Sequence, residues 1–268
     1  MISRKSYIAI SDASVKQIRD GFRHYASGFH KDDKVYNSHI QLKYFHTQKV
    51  CKEILYIGKA LGMNNDQLNF AEAIAWLHDI GRFEQFHRYK TFADAESENH
   101  SEIAIRVIEN LQILKDFNRE KKEVVYRSIL NHNIARIPDN EPEKIDFYSR
   151  LLRDADKLDI WRVAIEQNIF HTIKDEAQPD HYQVPKTILD SFRNNKILML
   201  DQIRSFYDSL LFRISWIYDL NYPVTVEQMM KRNIVKLLLD KIPDFPEKDE
   251  ISDIITKWAG NKTSIAIS

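Results

Sequence analysis

The stretch Leu68-Asn69-Phe70-Ala71-Glu72-Ala73-Ile74-Ala75-Trp76-Leu77-His78-Asp79-Ile80-Gly81 decides how this chain folds. Up to Leu77 it is apolar almost all round, which predicts a helix buried on every side rather than an amphipathic surface helix. That helix runs directly into His78 and Asp79, and polar groups at the end of a buried helix are costly unless something satisfies them. Successive helical residues point about 100° apart, so both side chains can address one ion only if it lies off the helix end. Gly81 is free to take φ > 0 and is read as the stop at which the chain turns sharply around such a site.

The rest of the chain gives the same helical reading. Only 6 Gly and 7 Pro occur in 268 residues, about 5% where average usage is about 12%. Scarce turn residues mean few, long elements, and apolar residues recur at three- and four-residue intervals with no alternating run long enough for a sheet. An all-α chain is expected, with helices over 12–28, 36–61, 65–80, 100–114, 119–133, 143–172, 185–219 with a break, 225–240 and 248–259. Asn99 and Asn118 read as helix starts and Gly62 as a stop, and the prolines mark the breaks. No glycine-rich phosphate loop is present, which argues against P-loop and dinucleotide-binding folds. With 39 Lys+Arg against 39 Asp+Glu there is no electrostatic footprint for duplex nucleic acid or a membrane surface, while a small anion stays open as a partner. Cys51, the single cysteine, can make neither an intramolecular disulfide nor a cysteine zinc site, which fits a reducing compartment. No apolar leader follows Met1 and no stretch approaches the roughly 18 apolar residues of a membrane span, so a soluble cytoplasmic protein is expected.

Further residues competent to hold a metal fall at comparable places. His46 lies mid-helix in Tyr44-Phe45-His46-Thr47, His100 opens a helix, His132 ends one, and Asp156 interrupts another in Asp154-Ala155-Asp156-Lys157-Leu158-Asp159. Imidazoles and carboxylates together suit Mn, Fe, Zn or Ni, and the lack of thiolates argues against a structural zinc. In this order, His46, then His78-Asp79 as HDIG, then Asp156 in Ala-Asp-Lys-Leu, the chain resembles the HD-domain metal-dependent phosphohydrolase superfamily over about 36–170. The resemblance implies an HD-type helical bundle, assigned to 1–175, and leaves the first ~30 and last ~95 residues unexplained; by pattern 176–268 is read as a helical extension packed on the bundle, whose amphipathic stretches could cap the pocket or pair two subunits as a homodimer. It implies that His46, His78, Asp79 and Asp156 hold a first divalent ion, and that His100 and His132 complete a second site with Asp79 bridging. Relatives with paired histidines at the second position would have His-His where this chain has His132-Asn133.

A divalent ion lowers the pKa of water toward about 7, and two of them clamp the attacking and leaving oxygens of an in-line displacement, so a phosphoester is the natural substrate. The function implied is hydrolysis of a small phosphorylated molecule, a nucleotide or phosphodiester, by metal-activated water. The ligands do not distinguish Mn, Fe, Ni, Zn, Co or Mg. Besides Asp79, the expected catalytic groups are Arg82, directly after HDIG where some relatives carry a phosphate-contacting lysine, and Lys157, directly after the last ligand. Arg88 and Lys90 lie further along the same segment, and His87 is a candidate general acid. Asp159 shares a helical face with Asp156 and is expected to orient an imidazole, whereas Asp154 points away and is expected to be a surface or capping charge. Two other readings use the same residues: an HD-fold di-iron oxygenase, and a non-catalytic HD-derived binding module. The second is disfavoured because all six ligand positions carry competent residues.

Overall fold

The computed structural model describes residues 7–166 and 181–264, which contain helices and no strand. The chain divides into two compact units, Met1–Asp156 and Lys157–Ser268. The expected division at 175/176 and the end of the expected helix 143–172 lie outside the described residues.

The first unit holds α1 (Asp12–Ser27), α2 (Lys34–Ala60), α3 (Asn65–Leu77), α4 (Gly81–Tyr89), α5 (His100–Asn110) and α6 (Arg119–His132); α7 (Glu143–Glu166) runs across the division. At its centre α3 packs against α1, α2 and α6. Phe70, Ala71, Ala73, Ile74, Ala75 and Leu77 are fully buried, as an all-round apolar helix requires. Phe22 of α1 stacks obliquely on Trp76 at 5.2 Å and meets Phe83 of α4 edge-on at 5.6 Å, fixing both ends of the HDIG segment to one aromatic cluster. A fully buried phenylalanine of this kind stabilises by about 3 kcal/mol. Asn64, Asn99 and Asn118 cap the starts of α3, α5 and α6 with their side-chain oxygens. Gly62 takes φ 78° after α2, the left-handed residue that ends the helix.

Gly81 differs from expectation. It begins α4 and is not in the left-handed region, and the segment 78–80 is a tight turn between α3 and α4. Its glycine is required for another reason: a Cβ there would stand 2.2 Å from the His100 carbonyl oxygen and 2.6 Å from the Ala104 nitrogen. The backbone of α5 comes in against the HD turn at the one residue without a side chain.

The second unit contains α8 (Lys186–Arg193), α9 (Phe206–Ser215), α10 (Pro223–Lys231), α11 (Ile234–Leu239) and α12 (Lys248–Ser264). α8 and α10 pack on α12, and α9 on α11. The stretch 185–219, expected with a break, holds α8, α9 and two short 3₁₀ turns, and the helix expected over 225–240 is in two pieces. Asn195 and Asn233 take φ 52° and break them, a left-handed conformation that asparagine tolerates better than most side chains. No helix among the described residues is long and apolar enough to cross a membrane.

Candidate metal centre

Four helices and one turn bring the expected ligands together. His46 comes from α2, His78 and Asp79 from the turn after α3, His100 from the first residue of α5, His132 from the last of α6, and Asp156 from α7. All six are buried. The two oxygens of Asp79 face two different groups. On the Oδ2 side, His46 Nε2 lies 3.5 Å from Asp79 and 3.1 Å from Asp156 Oδ1, and His78 Nε2 lies 3.8 Å from each of those oxygens. On the Oδ1 side, His100 Nε2 lies at 3.5 Å and His132 Nε2 at 4.0 Å. Two donors held about 2.1 Å from one ion stand about 3.0 Å apart at a right angle and about 3.4 Å apart at the tetrahedral angle, so both groups have the span of a coordination shell.

The imidazoles are presented as ligands. His78 Nδ1 donates to the Ala75 carbonyl at 2.7 Å and His132 Nδ1 to the Ile129 carbonyl at 2.5 Å. His100 Nδ1 donates to Asp94 Oδ2 at 2.7 Å. With each Nδ1 carrying the proton, each Nε2 is a bare lone pair. His78 Nε2 is buried without a hydrogen-bond partner, and His100 Nε2 and His132 Nε2 face each other at 3.1 Å. Two lone pairs at that distance repel, and a cation between them and Asp79 Oδ1 removes the conflict. The donor set therefore fits divalent ions on both sides of Asp79.

The electrostatics agree. Burial pushes all three imidazoles down: His78 falls below its usual value, His100 drops to about 4 with help from Arg82, and His132 to about 3 with help from His100 and His78. Burial alone would raise the two ligand carboxyls. Lys43, then His78, Arg82 and His100, instead hold Asp79 well below the carboxylate range, and His46, chiefly by its hydrogen bond, does the same for Asp156. The site thus offers neutral imidazoles and ionised carboxylates, the states a divalent ion needs.

Of the other expected residues, Arg82 lies at the site, with Nε 3.4 Å from Asp79 Oδ1. Lys157 Nζ is in an ion pair with Asp219 at 2.6 Å. Asp154 is fully buried, contrary to its expected place at the surface, and Asp159 accepts from Arg162 Nε at 2.6 Å. His87 is exposed and pairs with the Tyr36 hydroxyl at 3.2 Å, and Arg88 pairs with Glu84 and Glu98. Lys90 donates to the His87 carbonyl.

Three participants were not anticipated. Lys43 Nζ lies 2.9 Å from Asp79 Oδ2; its place three residues before His46 on one helix face was the available signal. Asp94, in the connection between α4 and α5, is the carboxylate behind His100, and nothing in its sequence context marks it. Arg153 of α7 is buried and donates to the carbonyls of Asn131, His132 and Ile134, holding the end of α6 that carries His132.

The family model described as the HD domain matches residues 44–161. No curated protein and no solved structure matches the chain.

Proposed function

Residues 44–161 are an HD domain, the fold of a superfamily of metal-dependent hydrolases, and from that premise we propose that this chain hydrolyses a phosphoester of a small molecule, a nucleotide or phosphodiester. The observation that carries the reading is the division of labour at Asp79, whose two oxygens face separate sets of imidazoles. His46, His78, Asp79 and Asp156 would hold one divalent ion, and Asp79, His100 and His132 a second. Such ions supply an activated water at neutral pH and stabilise the charge that develops on a phosphoryl group.

The remaining work falls to the protein's own cations. Lys43 stands beside Asp79 Oδ2 and Arg82 beside Oδ1, at 2.9 Å and 3.4 Å. With the carboxylate engaged by ions, Lys43 would be left to face an anionic substrate, and Arg82, held in place through Nη1 by Gln85, Asp94 and the Phe92 carbonyl, would add its positive charge beside it.

The reading is tested by assaying purified protein loaded with Mn, Mg, Ni or Co against a panel of phosphomonoesters, nucleotides and phosphodiesters. Phosphate release that tracks metal content supports it. Turnover that requires oxygen and a redox-active iron pair would replace it with the oxygenase reading, and failure to take up any divalent ion would leave only a binding module.

A further inference from the structure

One carboxylate outside the ligand set collects five donors. Asp94 Oδ2 accepts from His100 Nδ1 at 2.7 Å and from Asn133 Nδ2 at 3.2 Å. Its Oδ1 accepts from Gln85 Nε2 at 2.7 Å, from Arg82 Nη1 at 3.1 Å and, more weakly, from the His100 backbone N–H at 3.4 Å. The loop that carries it, residues 90–99, is further tied by Gln85 to Ser97 Oγ and to the Glu98 carbonyl, both at 2.9 Å.

This arrangement sets His100 apart from the other two imidazoles, including His132 on its own side of Asp79. His78 and His132 take their tautomers from carbonyls three residues back in their own helices. His100 takes its tautomer from a side chain in a loop. Asn133, where relatives with paired histidines would carry a second imidazole, donates to Asp94 and to Asn99 Oδ1 at 3.0 Å.

Building on the two-ion reading above, we infer that Asp94 is the positioning residue that decides whether the second ion binds, by fixing the Nδ1–H tautomer of His100 while holding Arg82 at Asp79. Both Asp94 oxygens are surrounded by donors, so an amide in its place must turn an NH₂ toward one set. Facing His100, that NH₂ needs an acceptor at Nδ1, which moves the proton to Nε2 and removes the lone pair the ion requires.

The test uses the full-length protein and the variants Asp94→Asn and Gln85→Ala, the latter removing one donor to Asp94 Oδ1 and the ties to Ser97 and Glu98 while leaving the Asp94 Oδ2–His100 contact in place. Nitrogen-15 histidine spectra of the metal-free proteins read the tautomer directly, and titration with Mn and Co reads the ions bound. Asp94→Asn is expected to shift His100 to the Nε2–H form, to keep one ion, and to weaken the second by about 10- to 100-fold, as loss of such partners does elsewhere. Gln85→Ala is expected to keep both ions and the wild-type tautomer. An unchanged tautomer, or two ions at wild-type affinity in Asp94→Asn, overturns the inference; so does equal loss of the second ion in Gln85→Ala, which makes the effect one of loop anchoring. Wild-type protein that takes up no ion overturns the two-ion reading itself.

Discussion

Lys43 Nζ lies 2.9 Å from Asp79 Oδ2, so the carboxylate oxygen that faces His46 and His78 already has a protein cation beside it. The ammonium is mostly buried and the carboxylate almost wholly so, which makes this a partner that matters to the metal-free protein. Substituting Lys43→Met leaves the buried Asp79 carboxylate with Arg82 as its remaining cation, at 3.4 Å, and is expected to lower the stability of the metal-free protein by about 3 kcal/mol. Saturating Mn should remove most of that deficit, because an ion then neutralises Asp79. Thermal melts with and without metal check this; an equal deficit in both would show that Lys43 acts through packing alone.

Asp79 is shared, whereas His46 serves one side only. Asp79→Asn is therefore expected to abolish both ions, and His46→Gln to weaken the first while sparing the second. Elemental analysis after dialysis, with helical circular dichroism as the control for folding, distinguishes the two patterns. His78→Ala should remove metal and activity together.

Gly81→Ala places a methyl group 2.2 Å from the His100 carbonyl, where the obstacle is backbone that cannot swing aside. The expected result is a loss of about 2–3 kcal/mol by overpacking and a displaced α5. Since His100 begins α5, the second ion should weaken in the same variant. Urea midpoints and metal titration measure the two effects, and a fully stable Gly81→Ala protein would contradict the close approach.

The buried imidazoles set the acid side of the stability profile. His100 and His132 titrate near 4 and 3 in the folded, metal-free chain, below their ordinary 6.5. The unfolded chain binds those protons first, so stability is full above about 6.5 and falls as pH drops below it, by about 1.4 kcal/mol per pH unit for each such histidine. Asp79, Asp94 and Asp156 are shifted down and lose their stabilising effect only below the ordinary carboxylate value of 3.8. Urea unfolding of metal-free protein between pH 7 and 4 is expected to show this slope, and His132→Gln should flatten it by one proton's worth.

Most of the helices could be read from residue pattern, and the residues proposed as ligands were candidates by position that the family resemblance assembled into a set. Ile74, Ala75 and Trp76 around an otherwise apolar turn announce a buried helix, and a His-Asp pair at its end announces something to satisfy. The misreadings have one physical source. Gly81 was assigned a local role, a left-handed turn, when its role is the approach of α5, which is 19 residues away in sequence at His100. Asp154 looked like a surface charge because helical phase gives direction but not what packs there. Asp94 was invisible for the same reason: a carboxylate in a loop acquires meaning only from the histidine, arginine and asparagine that three other elements bring to it. The connection 216–219 and the break at Asn233 show that runs of apolar residues at helical spacing do not tell one long helix from two short ones.

The ends of α3 and α6 have a use that their capping alone would not suggest. The last four carbonyls of any helix lack intrahelical donors and must find partners elsewhere. At Ala75 and Ile129 the partner is an imidazole three residues on, so an unavoidable deficit of helix termination becomes the device that aims His78 and His132. Extending either helix by one turn would satisfy the carbonyl with a backbone N–H and release the ring. In this chain the point at which a helix stops is itself a part of the binding chemistry.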